Sequence, residues 1–344
     1  MKTRRVSGSW QKRALKVFRV LECGVVWCGV VWCGVVWRPD FPFVMVAPLA
    51  ELATVKDTDL LDQVVSAVNR TLALPGFELI GIAPTLNSTD ILNALDAGRS
   101  EGGKEGRHWI LDPVDGTVGF VRGEQYAIAL AMIDSGELAV SALGCPNMPT
   151  RPEWLRHPNR YHRFLTRLSG TDAAEQWIKG VLFLAAAGSG AWMEASDAVL
   201  ASKLGALPVQ MEMREAQNAV FCEPVMKANS KQELSGQIAR QLGVSAPPLR
   251  VYSQVKYGAL ARGDADIFLK FPRGDYKEKI WDHAAGALLV AEAGGRVTDA
   301  AGRPLDFGIG PRLTNLDRGI VAASSQLHDA IVGAIEESWA SAQL

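Results

Sequence analysis

Two acidic motifs, far apart in the chain, carry residue types suited to one chemistry. The first is Asp112-Pro113-Val114-Asp115-Gly116-Thr117, directly after the apolar run His108–Leu111. Two carboxylates three residues apart around a proline turn can converge on one point, and carboxylates with carbonyl and water oxygens are the hard ligand set that Mg²⁺ takes. Gly116 lets the backbone approach closely, so that its N–H and that of Thr117 can face a phosphate oxygen. The Thr117 hydroxyl is then placed to orient a metal-bound water. Standing alone, an Asp-Pro turn followed by Gly is equally an ordinary loop. The second motif is Ile280-Trp281-Asp282-His283-Ala284-Ala285-Gly286. An acid at a helix start is commonly a cap, and the small residues after it suggest close packing against another backbone. Together the motifs say more. A third carboxylate delivered from far along the chain is what a multi-metal phosphoryl-transfer site needs, to clamp both attacking and leaving oxygens.

The elements that must position these acids alternate between α and β from about Ala50 onward. Apolar spacing predicts helices over 58–73 and 88–97, the latter opening on Ser, Thr and Asp cap candidates. A short strand, 108–111, delivers the first motif. Strands 125–133 and 138–143 pair through a turn at Asp134-Ser135-Gly136. Residues 150–180 are polar and rich in Trp and Arg, and read as mixed helix and loop. Then come strands at 181–187 and 218–222, helix 231–242, strand 249–252, helix 253–262 and strand 265–270. Helix 282–293 carries the second motif, and strands 296–298 and 319–323 with helix 325–339 close the chain. No low-complexity linker divides this body. It reads as one α/β unit with an N-terminal metal-binding lobe, 51–180, and a C-terminal lobe, 181–344.

Residues 1–50 stand apart. Residues 1–19 hold seven Lys and Arg and no acid, and CGVVW then occurs three times in tandem, over 23–37. A basic, acid-poor start fits an organelle transit peptide. A signal anchor needs a span of about 20 residues, and this apolar run is shorter. A perfect five-residue repeat also fits translated repetitive DNA. Over the whole chain, 36 Lys and Arg balance 37 Asp and Glu, for a net charge of −1. That balance argues against coating nucleic acid or a membrane surface. Three of the five cysteines lie in the repeat and Cys145 and Cys222 are isolated, which makes neither a disulfide framework nor a zinc site. The histidines His108, His157, His162, His283 and His328 form no ligand cluster and read as packing or surface residues. Trp109 and Trp281 read as core.

DPVDGT followed by WDHAAG resembles the signature of the lithium-sensitive, Mg²⁺-dependent phosphatases that include inositol monophosphatase. The segments GRHWILDPVDGTVGFVRGEQYAIALAMID, LGCPNMP, VYSQVKYGALARGDADIFLKF and YKEKIWDHAAGALLVAEAGGRVTDAAGRPLDF resemble the 3′(2′),5′-bisphosphate nucleotidase branch more closely. FCEPVMKANS and RPEWLRHPNRYHR are most similar to plant organellar members. The resemblance covers about 55–340. It implies a layered α/β/α/β/α sugar-phosphatase fold and two or three Mg²⁺ ions. The implied reaction is hydrolysis of adenosine 3′,5′-bisphosphate, and of its 5′-phosphosulfate analogue, to release the 3′-phosphate. It also implies a mitochondrial or chloroplastic address, with the cytoplasm as the alternative, and a small-molecule nucleotide as the partner.

Residue by residue, the resemblance makes Asp112, Asp115 and Asp282 metal ligands, with Val114 adding its backbone carbonyl. Thr117 matches the threonine that helps activate the attacking water, beside Asp115. Gly116 and Thr117 match positions that hold the scissile phosphate. Ser253 and Lys256 match nucleotide-contacting positions, Lys270 falls where some members have Arg, and Asn229 stands where others place a substrate-contacting His. Family members also carry, ahead of this region, an acid in a Thr-Val-Ala-Asp-like segment and a Glu-Glu pair. Neither is found here, so the N-terminal part of the fold reads as truncated, with Glu51 the one candidate replacement ligand. Three functions therefore stand: a nucleotide 3′-phosphatase, an inositol-phosphate phosphatase, and a non-catalytic protein that only binds a phosphonucleotide.

Overall fold

In the computed structural model, residues 43–45, 58–73, 85–97, 100–151, 155, 179–196, 198–227 and 230–341 are described. The CGVVW repeat, Glu51, Asn229 and nearly all of 152–178 lie outside them.

The first sheet has seven strands in sequential order: β1 (Phe43–Met45), β2 (Arg107–Asp115), β3 (Ala127–Asp134), β4 (Glu137–Pro149), β5 (Lys179–Ala186), β6 (Gly190–Ala195) and β7 (Leu207–Val209). β1 runs parallel to β2, and the connection between them holds α1 (Thr58–Leu72) and α2 (Ser88–Ala97). Three residues of the stretch set apart by sequence thus belong to the sheet. From β2 onward every neighbour is antiparallel. The β3–β4 turn falls where expected: Ser135 and Gly136 both have positive φ, 57° and 86°, the conformation that tight hairpins favour. β3 is buried along nearly its whole length, as a strand covered on both faces must be.

The second sheet, in the order β11-β12-β10-β8-β9, contains β8 (Phe221–Pro224), β9 (Leu249–Val251), β10 (Ile267–Lys270), β11 (Gly295–Asp299) and β12 (Ile320–Ser324). Here β8, β9 and β10 are parallel, so their C-terminal ends lie on one side. The first sheet runs through Val209, and the chain passes to the second sheet after it.

Between the sheets lie α6 (Val255–Arg262) and α7 (Ala284–Glu292), after α3 (Thr117–Val121), α4 (Ala198–Leu204) and α5 (Gln232–Gln241) in chain order. α7, apolar on every side, has seven consecutive buried residues, Ala284 to Val290, the pattern of a helix enclosed on all sides. Ala127, Ala129 and Ala131 of β3 share one core with α6, α7 and the inner face of the second sheet, Cys222, Phe268 and Ala322. Small side chains on β3 let the helix pair sit close to the strands. On the outer face of the second sheet, Phe221, Ile267, Leu269, Val321 and Ala323 pack with Ile238 of α5 and with Leu327, Ile331 and Ile335 of α8 (Ser325–Ser341). The result is the layered α/β architecture expected from sequence. Among the described residues no helix is long and apolar enough to cross a membrane.

Candidate active site

A strand alone would send Asp112 and Asp115 to opposite faces, since side chains alternate with a period of two and three is odd. The structure resolves this with an irregularity. Asp112 pairs with Ala129 but Asp115 with Ala127, so three steps on β2 oppose two on β3. That bulge re-aims the second carboxylate. Within it, the Val114 amide donates to Asp112 Oδ1 at 3.2 Å. Asp282 closes a 3-10 turn, Ile280–Asp282, just before α7. Ligand oxygens of Asp112, Asp115 and Asp282 all lie within 4.8 Å of one another. The three acids named from sequence therefore meet.

Gly116 holds the next turn. Its φ of 87° and ψ of 45° are left-handed, and a Cβ there would stand 2.8 Å from Ser253 Cβ, so only glycine fits. Contact with Ser253 brings in a loop that sequence linked only to nucleotide binding. Ser253 has a φ of 60°, uncommon for a residue with a side chain. This turn aims the Gln254 amide at Asp115, whose Oδ2 accepts it at 2.5 Å. Ser253 Oγ accepts from the Val255 amide at 3.2 Å, and its carbonyl accepts from Lys256 Nζ at 2.5 Å. Thr117, exposed at the first position of α3, and Gly116 both line the cleft described below.

His283, which sequence assigned to packing or surface, is buried and fully engaged. It shares hydrogen bonds with Tyr257 Oη at 2.8 Å and with Glu278 Oε2 at 2.9 Å. Glu278 is buried too and pairs with Lys270 Nζ at 3.6 Å. A continuous polar chain, Lys270–Glu278–His283–Tyr257, therefore runs beside Asp282. Glu278, Tyr257 and Gln254 were missed by sequence reasoning because their partners come from other elements.

These groups surround a cleft of about 640 Å³. It opens where β2, β8, β9 and β10 end at their C-termini, the usual place for a ligand in an α/β sheet. Asp115 and Asp282 line one part; Lys256, Lys270 and Arg273 supply cations, and Tyr252, Tyr276, Met226 and Pro224 supply apolar wall. Arg273 was not singled out by sequence.

Acids and cations lie close together in the cleft. Burial, reinforced by Asp115 and Asp282, holds the Asp112 carboxyl well above the usual range. Burial also raises Asp115, against the pull of Lys256. Burial and the neighbouring Asp115 push Asp282 up to about 6. Lys256 is lowered by burial, although Asp115 opposes the shift. Three crowded carboxylates in a desolvated corner repel one another, and a divalent cation relieves that repulsion. An all-oxygen donor set of this kind suits Mg²⁺, so the residues present fit such an ion.

Fold and site together define a layered α/β protein with a carboxylate cluster beside a cleft lined by both acids and cations. The sequence model of the inositol monophosphatase family matches residues 50–340, and the chain belongs to that family. It is 45% identical over 302 residues to an Arabidopsis thaliana protein named 3′,5′-bisphosphate nucleotidase AHL, covering 85% of this chain and 78% of the relative. It is 41% identical over 298 residues to the Oryza sativa 3′(2′),5′-bisphosphate nucleotidase, covering 87% and 77%. Among solved structures, Mycobacterium tuberculosis SuhB aligns at 21% identity over 95% of this chain and 96% of that one, with a TM-score of 0.48.

Proposed function

We propose that this chain hydrolyses the 3′-phosphate of adenosine 3′,5′-bisphosphate, yielding AMP and phosphate. The observation that carries this reading is a cluster of three carboxylates, two of which, Asp115 and Asp282, line a cleft that also holds Lys256, Lys270 and Arg273. A bisphosphate offers one phosphate to the carboxylate cluster and a second to the cations, whereas an inositol monophosphate offers only one. The names of the plant relatives supply the nucleotide.

Two or three Mg²⁺ ions would be held by Asp112, Asp115, Asp282 and the Val114 carbonyl, with Glu51 completing the set. Bound there, they supply Lewis-acid stabilisation of the phosphoryl oxygens and a water of lowered pKa. Thr117 Oγ1 orients the attacking water beside Asp115, and Gly116 and Thr117 hold the scissile phosphate. Ser253, Lys256, Lys270 and Asn229 contact the ribose and the 5′-phosphate. Lys270 does so as a point charge rather than a bidentate fork. The water oxygen bonds to phosphorus as the P–O3′ bond breaks, and the 3′-oxygen leaves as a hydroxyl. A chloroplast or mitochondrial address rests on the basic first 19 residues and on the likeness to plant organellar members.

Product analysis tests the regiochemistry. Chromatography of the reaction of the purified full-length chain with adenosine 3′,5′-bisphosphate and Mg²⁺ is expected to show 5′-AMP. Accumulation of 3′-AMP, or faster turnover of inositol 1-phosphate, would overturn the assignment.

A further inference from the structure

Gln254 is buried, and while its carbonyl accepts from the Tyr257 amide in the first turn of α6, its backbone N–H and both side-chain polar atoms are committed to the two acidic motifs. Its backbone N–H donates to Asp115 Oδ2 at 2.5 Å. Its side-chain Nε2 donates to the carbonyl of Trp281, the residue before Asp282, at 2.8 Å. Its side-chain Oε1 accepts from the Gly286 amide, one turn into α7, at 3.3 Å. These partners lie 139, 27 and 32 residues away in sequence, so no local structure requires the arrangement. Backbone strain accompanies it, since the left-handed Ser253 is what turns the Gln254 amide toward Asp115.

We infer that Gln254 is a positioning residue that sets the separation of Asp115 and Asp282, and so the affinity of the site for a divalent cation. This inference rests on the metal reading given under Proposed function. The physical case concerns repulsion. Two crowded carboxylates on separate loops move apart unless something ties the loops together, because the charges gain by separating. Gln254 is that tie: one end grips the Asp115 carboxylate and the other grips backbone on both sides of Asp282. Groups that orient metal ligands from behind typically change affinity by about 10–100-fold when removed. In this role Gln254 acts through the two acids, and its amide needs no ionisation.

The experiment uses Mn²⁺ as a spin probe, with free Mn²⁺ counted by electron paramagnetic resonance at neutral pH, on the full-length chain without substrate. Gln254→Met keeps the side-chain volume and loses both side-chain bonds. Gln254→Asn keeps the amide on a stem one methylene shorter. Circular dichroism and a cooperative thermal transition establish that each variant is folded, and either folded variant suffices. The expected result is Mn²⁺ affinity weakened at least tenfold. In turnover assays the Mg²⁺ requirement should rise by a similar factor, while the KM for nucleotide at saturating Mg²⁺ changes less than about threefold. A merely structural role would lower the thermal midpoint and leave the Mn²⁺ affinity of the folded protein alone. Folded variants that bind Mn²⁺ within twofold of wild type, where wild type binds and Asp115→Asn does not, would overturn this inference and leave the metal reading standing. Wild type that binds no Mn²⁺ would overturn both.

Discussion

Asp282 shows how a single residue trades stability for function. Its carboxyl is displaced upward to about 6 by burial first and by Asp115 second. Without a cation, the folded state keeps a proton that the unfolded chain has already released. Ionising Asp282 as pH rises from its unfolded value through about 6 therefore costs stability, on the order of 3 kcal/mol for a shift of this size. The metal-free thermal midpoint is expected to fall between about pH 4 and pH 6, from the unfolded to the folded value, and to level off above, and Asp282→Asn should flatten that fall and exceed wild type at the upper end. Added Mg²⁺ should reverse the order, because the asparagine has lost a charged ligand. Parallel pH curves for the two proteins, measured by scanning calorimetry, would show that Asp282 is not held against its own charge.

At the scale of elements, the site depends on how closely α6 and α7 cross. A Cβ on Gly286 would lie 2.2 Å from the ring of Tyr257, inside a core where neither helix has room to shift. Gly286→Ala should therefore destabilise by about 1–3 kcal/mol, read by chemical denaturation. It should also disturb the Tyr257–His283 contact beside Asp282. Unchanged stability would mean that the helices can separate. The legibility of the elements in sequence follows the same physics. Helix 58–72 and the hairpin at Ser135-Gly136 were readable because periodicity and turn chemistry are local. β6, β7 and α4 were not, since GAWMEA has little alternation and β7 is only three residues long. β1 was hidden in an apolar stretch without a pattern, and its pairing with β2 is tertiary. Asp112, Asp115 and Asp282 were found through their motifs. Gln254, Glu278 and Tyr257 were not, because what matters about each is a partner supplied by the fold.

At the scale of the molecule, two sheets share one helical layer, and the cleft lies where strands from both end. Neither sheet alone has the site: β2 brings Asp112 and Asp115, the loop after β9 brings Ser253 to Lys256, and the turn before α7 brings Asp282. Net charge is nearly zero, so selection for a bisphosphate must come from the local placement of charges in the cleft rather than from the overall field. The most direct test is phosphate release from adenosine 3′,5′-bisphosphate by the 344-residue chain, titrated with Mg²⁺ and challenged with Li⁺, beside Asp115→Asn. Mg²⁺-dependent turnover that Li⁺ inhibits, and that falls at least a hundredfold in the variant, is the expected result, the rate loss corresponding to about 2.7 kcal/mol of transition-state stabilisation. No turnover from the folded chain at any Mg²⁺ level, or turnover indifferent to Asp115, would contradict the account.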